Sequence, residues 1–262
     1  MASYIKKAKV QLDDIAFNKL DYRANIMLIL RIVNRRKIPL PTAVYDFFNA
    51  PSEVSDDMGS ENFLAPYMLP EPGKCFVDVG ANVGGWTFFV AKRGFDVYAF
   101  EPGPKAFEVL KGLAKKYPNI HPYQYALGDS DRTTRVGFAA FDVGGTVDEE
   151  VNLPGGGTIT LPLHRLDSLR LPEVGVLKID TEGFETPILE GAKETIQKYK
   201  PRLVIEVHRQ TGKAASTFEE EKQRIEKILD SLGYGWTVHC RQISLHGEMQ
   251  PFLIGNPKDK TR

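Results

Sequence analysis

The residues best suited to chemistry fall into two clusters, each at the end of a short apolar run. The first, Asp78-Val-Gly80-Ala-Asn82-Val-Gly84-Gly85, leaves the run Cys75–Val79. A glycine there permits a sharp turn and a close approach of ligand to backbone. The helix expected to follow offers free N–H groups and partial positive charge, suited to a carboxylate or a phosphate. Glu101 lies 21 residues after Gly80, at the end of a second run, and is followed by Pro102. An acidic group at that place accepts both hydroxyl hydrogens of a ribose, and the spacing agrees with about 20 residues in nucleotide-binding α/β units.

Which adenosine cofactor fits depends on the second glycine position. A dinucleotide fingerprint needs glycine there so that backbone meets pyrophosphate, and this chain carries Asn82. An asparagine side chain crowds a pyrophosphate but can bond a loop or a methionine carboxylate. Asp78 suits the ammonium group of the same moiety, directly or through water. Both features favour S-adenosylmethionine over NAD. Ala126-Leu127-Gly128-Asp129 falls where adenine would sit. Leu127 can cover the ring, and Asp129 or a backbone carbonyl can take the exocyclic amine, unless the segment is an ordinary Gly-Asp turn. Trp86 either faces a sulfonium through a cation–π contact or packs helix against sheet.

The second cluster is Lys178-Ile-Asp180-Thr-Glu182-Gly183-Phe-Glu185, with Glu206-Val-His208 after the next run. In a parallel sheet these strand ends meet on one rim. The cost of desolvating charge argues for a site rather than passive core, the alternative being a structural ion-pair network.

These groups must be positioned by alternating strands and helices. Strands are expected at Cys75–Val79, Phe95–Phe100, Ile120–Tyr125, Gly175–Ile179 and Arg202–Val207, with helices from Gly85, Pro104, Pro187 and after a Ser216/Glu219 capping box. Two last strands, Gly235–His239 and Gln250–Gly255, are close enough to pair as an antiparallel hairpin. Such alternation implies a mostly parallel sheet covered on both faces. Residues 133–163 break the pattern and read as an inserted hairpin, Arg135–Phe141 with Thr158–Leu163. Residues 1–59 read as an N-terminal helical extension, a packing appendage or a lid, before a catalytic domain over 60–262.

Composition bounds the rest. Of 262 residues 42% are apolar, enough for a full core. Lys+Arg and Asp+Glu both number 34, so the net charge is zero, which argues against an electrostatic nucleic-acid binder. Two cysteines give neither a disulfide framework nor metal spacing, as expected of a cytoplasmic protein. No apolar run approaches the roughly 20 residues of a membrane span.

Taken together, the segments FVDVGANVGGW (Phe76–Trp86), AFEP (Ala99–Pro102), ALGD (Ala126–Asp129), LDSL (Leu166–Leu169), LKIDTEGFE (Leu177–Glu185), LEGA (Leu189–Ala192) and EVH (Glu206–His208) resemble the FkbM family of methyltransferases. The resemblance covers roughly residues 60–210. It implies a class I Rossmann-like sheet of seven strands, S-adenosylmethionine as cofactor, and methylation of a hydroxyl on a sugar or natural product. It also implies cofactor roles for Asp78, Gly80, Asn82, Gly84 and Glu101, and places Asp180, Glu182 and His208 at the methyl-transfer end.

Methyl transfer to an alcohol needs in-line alignment and is helped by a base, typically by about 10²–10⁴-fold. His208 is the first candidate base, since an ordinary imidazole titrates near neutrality. Asp180 or Glu182 is the second, or either orients His208 or holds the substrate. No metal is required, although Asp180, Glu182 and Glu206 could hold magnesium for a diol acceptor. The competing functions are a non-catalytic protein that keeps the fold for binding, and an NAD-dependent oxidoreductase.

Overall fold

Five consecutive buried residues, Cys75–Val79, form strand β1 near the middle of a seven-stranded sheet. In the computed structural model the described residues are 59–138, 145–147, 157–209, 216–242 and 249–258. The extension expected over residues 1–59 therefore lies outside them, apart from Gly59 at the start of a 3₁₀ helix, Gly59–Tyr67. After β1 come helix α1 (Gly85–Ala91), β2 (Val97–Phe100), α2 (Pro104–Lys116) and β3 (Ile120–Tyr123). A second set follows at β4 (Ala126–Leu127), β5 (Arg132–Phe138), β6 (Gly145–Val147) and β7 (Gly157–His164). The main sheet resumes with β8 (Val174–Ile179), α3 (Glu185–Glu190), α4 (Lys193–Tyr199) and β9 (Arg202–Glu206). It ends with α5 (Phe218–Ser231), β10 (Tyr234–Gln242) and β11 (Met249–Pro257).

The strand order is β10-β11-β9-β8-β1-β2-β3, with β1, β2, β3, β8 and β9 parallel and β11 antiparallel to β9. This is the mostly parallel, Rossmann-like sheet with a terminal antiparallel hairpin that alternation implied. The chain runs outward from β1 to β3 and then restarts at β8 on the other side of β1. The crevice beyond the carboxyl ends of β1 and β8 is thus a topological switch point, where ligands of such sheets bind. Val77, Val79, Leu177, Ile179, Leu203 and Ile205 pack with Ile188, Leu189, Ile196, Ile225 and Leu229 into the core that fixes these strand ends.

Three local expectations are corrected. The inserted hairpin is part of a separate four-stranded sheet, β4-β7-β5-β6, whose strand β5 starts at Arg132 rather than Arg135. Thr134 and Val136 are buried between exposed Thr133 and Arg135, a two-residue period that polar residues hide from a search for apolar runs. The helix expected from Pro187 starts at Glu185 and breaks at Gly191-Ala192. At Gly191 the chain meets other backbone, since a Cβ there would stand 1.8 Å from the Gly128 carbonyl oxygen. Asp167 of the LDSL segment then caps the new helix, accepting from Glu194 N at 3.1 Å and Thr195 N at 2.8 Å.

The third correction moves the capping box one residue on, from Ser216/Glu219 to Thr217/Glu220. The Thr217 side chain accepts from Glu220 N, and the Glu220 carboxylate takes the Thr217 backbone N–H. Thr217→Ala is expected to cost about 1 kcal/mol, read as a fall in Tm of roughly 2–4 °C. The same loss in Ser216→Ala, with Thr217→Ala neutral, would restore the earlier pairing. Among the described residues no helix is long and apolar enough to cross a membrane.

Candidate functional site

Asp78 and Lys178 are register partners on adjacent parallel strands, so their side chains share one face of the sheet. Lys178 Nζ lies 3.1 Å from Asp78 Oδ1 and 3.4 Å from Asp180 Oδ2, and it donates to the Gly80 carbonyl at 3.4 Å. Thr87 Oγ1 donates to Asp78 Oδ2 at 2.7 Å. The Asp78 side chain is fully enclosed by these partners. It braces the turn from within, partnered by Lys178 and Thr87.

The turn itself is held against β2. Gly80 and Ala81 both donate to the Phe100 carbonyl at 3.0 Å. Gly80 has φ 75, and a Cβ on it would stand 1.8 Å from the Asp180 carbonyl oxygen. Asn82 also takes a left-handed conformation, φ 51. Gly84, at φ 90, is the residue before α1. The loops carrying Asp78–Gly85 and Glu101 lie side by side, as the spacing implied. Glu101 joins them: its Oε2 accepts from Asn82 N and its Oε1 from Gly103 N, both at 2.7 Å. Each oxygen keeps a lone pair for a ribose hydroxyl. Burial pushes the Glu101 carboxyl up to about 7, although the N–H groups of Gly103 and Asn82 and the charge of Lys178 pull it down.

A small cavity opens beside this bridge, lined among others by Gly80, Phe100, Pro102, Tyr125, Leu127 and Thr181. It touches both motif clusters and has apolar walls suited to a flat ring. Leu127 and Pro102 are among the residues that line it. Asp129 is not among the lining residues. It is exposed, with Ser130 Oγ donating to its Oδ1 at 2.9 Å. Trp86 is buried and meets Phe89 edge-on at 5.4 Å between ring centroids, the packing alternative for that residue.

The second cluster closes around His208. Beyond β8 the chain turns through two left-handed residues, Glu182 (φ 57) and Gly183 (φ 108). Glu185 ties this turn down, its Oε1 accepting from Thr181 N at 3.1 Å and Gly183 N at 3.2 Å. The same oxygen lies 2.8 Å from His208 Nδ1. On the other side of the ring, Nε2 faces Asp180 Oδ1 at 3.8 Å, Glu182 Oε2 at 3.6 Å and Glu206 Oε1 at 3.6 Å. Glu206 is held from behind by Arg241, Nη2 to Oε1 2.5 Å. Burial works against the charged imidazole, but the charge and hydrogen bond of Glu185, with Asp180 and Glu182, outweigh it and lift the ring to about 10. The expectation that His208 titrates near neutrality is thereby corrected. The direction of this shift favours the charged imidazolium, a form with no free lone pair to act as a base.

Sequence reasoning brought the right strand ends together but gave no role to Lys178, Glu185 or Arg241. Lys178 carried a signal, since a charged residue inside the apolar run Val174–Ile179 must be partnered once buried. Glu185 carried a weaker one, an acid in the first turn of a helix. Arg241 sits on a strand distant in sequence and had none.

The family model described as "Methyltransferase FkbM domain" matches residues 78–235. Hexuronic acid methyltransferase AglP of Haloferax volcanii is 28% identical over 134 residues, which are 50% of this chain and 54% of that protein. The chain thus spans about half the length of that relative. The 31-O-demethyl-FK506 methyltransferase FkbM of Streptomyces tacrolimicus is 27% identical over 209 residues, covering 65% of this chain and 75% of that one. A crystal structure of a methyltransferase FkbM from Methylobacillus flagellatus is 18% identical, with a TM-score of 0.49, over 69% of this chain and 43% of that one.

Proposed function

The chain belongs to the FkbM methyltransferase domain family, and from that premise we propose that it moves the methyl group of S-adenosylmethionine onto a hydroxyl oxygen of a sugar or other small metabolite. Family membership implies the cofactor. Glu101 carries the assignment of its place, because its carboxylate draws the turns after β1 and β2 together at the switch point of the sheet. Glu101 receives the ribose hydroxyls, and Pro102 and Leu127 flank the adenine. The turn through Gly80, Asn82 and Gly84 receives the methionine end. Asp78 acts from beneath by fixing Lys178 and Thr87.

The acceptor enters beside Asp180, Glu182 and His208. Its oxygen attacks the methyl carbon in line as the carbon–sulfur bond breaks, leaving S-adenosylhomocysteine and one proton. Glu182, whose side chain is 36% exposed, takes that proton. The His208 ring faces Asp180 and Glu182 across 3.8 and 3.6 Å. The similar Streptomyces protein, a 31-O-demethyl-FK506 methyltransferase, supports an oxygen acceptor, and the Haloferax hexuronic acid methyltransferase supports a sugar-like one.

Calorimetric titration with S-adenosylhomocysteine and transfer of labelled methyl to a panel of uronic acids, sugars and macrolide alcohols test this together. Tight binding with no transfer to any member would favour the non-catalytic alternative. Within an active pair, Glu182→Gln is expected to slow turnover about 100-fold or more while leaving S-adenosylhomocysteine affinity within twofold. Full turnover in that variant would remove Glu182 as proton acceptor.

A further inference from the structure

The spacing around His208 Nε2 is that of loose ion pairs, and it is also the spacing of ligand atoms gathered around one bound ion. Three carboxylate oxygens face it at 3.6–3.8 Å, beyond hydrogen-bond reach, although all belong to one crowded rim. Two ligand atoms on one small divalent ion, each about 2.1 Å from it, stand roughly 3.0–4.2 Å apart. Asp180, Glu206 and His208 each offer an atom, all within 4.8 Å of one another.

A second observation concerns the other side of the ring. The His208 ring is only 7% exposed, and its Nδ1 is fixed by Glu185, itself 3% exposed. Glu185 is pinned in turn by the backbone of Thr181 and Gly183. A carboxylate that holds one imidazole nitrogen so that the other points at a cation is the usual support behind a metal-bound histidine. Here the far nitrogen faces three carboxylates at ion-pair distances longer than a hydrogen bond.

We propose that Asp180, Glu206 and His208 bind one divalent cation of the manganese or magnesium class, with Glu182 beside it. Two carboxylates to one imidazole favour such a hard ion over thiol-seeking metals. The ion replaces the proton on Nε2, which leaves to solvent, and Arg241 holds Glu206 through Oε1, the oxygen that also faces His208. The use made of the ion rests on the methyl-transfer reading. It would bind the acceptor hydroxyl and a neighbouring oxygen, lower the hydroxyl pKa, and so select acceptors with two adjacent oxygens, such as vicinal diols or α-hydroxy acids.

The site is tested with Mn²⁺ alone on the full chain, free ion being counted by electron paramagnetic resonance. One ion per chain is expected, weakened at least 100-fold in Asp180→Asn and His208→Gln. Glu185→Gln should weaken it by about 10–100-fold, and Glu101→Gln should leave it unchanged. Absence of saturable binding to the unaltered chain, or equal binding by Asp180→Asn and His208→Gln, overturns the proposal. Crystals of the unaltered chain soaked in Mn²⁺ are free of any folding defect in the variants. An anomalous peak within bonding distance of the three named atoms supports the site, and a peak elsewhere or none overturns it. Calorimetry with S-adenosylhomocysteine on the same samples keeps the two ideas apart. Mn²⁺ binding without cofactor binding supports the ion site while counting against methyl transfer.

Discussion

Gly80→Ala is expected to remove measurable S-adenosylhomocysteine binding, at least a 100-fold loss, and to lower Tm by roughly 6–12 °C. Two penalties combine. An L-residue held at φ 75 carries about 1–2 kcal/mol of backbone strain. The added methyl would also stand 1.8 Å from the Asp180 carbonyl oxygen and 2.8 Å from its carbon, so backbone must yield. Overpacking of that kind costs about 1–3 kcal/mol. The total is about 3 kcal/mol, at roughly 2–4 °C per kcal/mol for a domain of this size. Function should suffer more than stability, because the atoms that yield belong to the turn after β1 and to Asp180, the two walls of the crevice. Gly94→Ala separates the penalties: Gly94 has φ 87 but nothing within 4 Å of its virtual Cβ. It should show the strain cost alone and keep cofactor affinity. Equal Tm losses in the two variants would mean that the Asp180 contact is relieved at no cost, and that the close approach is not what Gly80 is for.

What could be read from the sequence follows the range of the forces involved. β1 is bounded correctly at Cys75 and Val79 because a strand buried on both faces shows itself as a local run. The crevice is legible too, since Gly80 and Glu101 sit at the ends of two such runs and parallel connection leaves them one rim. Roles decided by side chains from distant strands are another matter. The enclosure of Asp78 was not legible, because its partner Lys178 is set by the β1–β8 register, which no local pattern encodes. His208 looked like a neutral-range base because adjacency in sequence shows Glu206 but not Glu185, whose oxygen decides the charge of the ring from 2.8 Å. The capping box slipped by one residue because Ser216 and Thr217 both have a glutamate three positions on. Only the extended backbone at Thr217, φ −95 and ψ 160, chooses between them.

Glu101 gives the second large effect, and pH exposes it. Its carboxyl is pushed up to about 7 in the fold, first by burial, whereas an unfolded chain would ionise it near the ordinary glutamate value of 4.5. The folded chain therefore holds an extra proton between these values. The resulting stabilisation is full below the unfolded value and is lost as pH rises through about 7. Cofactor binding should run the other way, because the ionised carboxylate accepts from Asn82 N, Gly103 N and two ribose hydroxyls at once. Affinity for S-adenosylhomocysteine is expected to rise about tenfold per unit up to pH 7 and then level off. Glu101→Gln should flatten that slope, since the amide does not titrate and one of its two atoms meets an N–H as a donor. Glu101→Ala should cost on the order of 100-fold or more at pH 8, charge-assisted hydrogen bonds being worth about 1.5–3 kcal/mol each. The two readings of Glu101, loop clasp and ribose acceptor, then part company. A clasp alone predicts that Glu101→Ala loses thermal stability in the absence of cofactor and that its affinity loss does not depend on the sugar hydroxyls. An acceptor predicts that a 2′,3′-dideoxy analogue of S-adenosylhomocysteine binds the unaltered chain weakly and gains nothing between pH 6 and 8. Unchanged affinity in Glu101→Ala, or the same pH slope in Glu101→Gln as in the parent, would take the ribose from this residue and with it the place given to the cofactor.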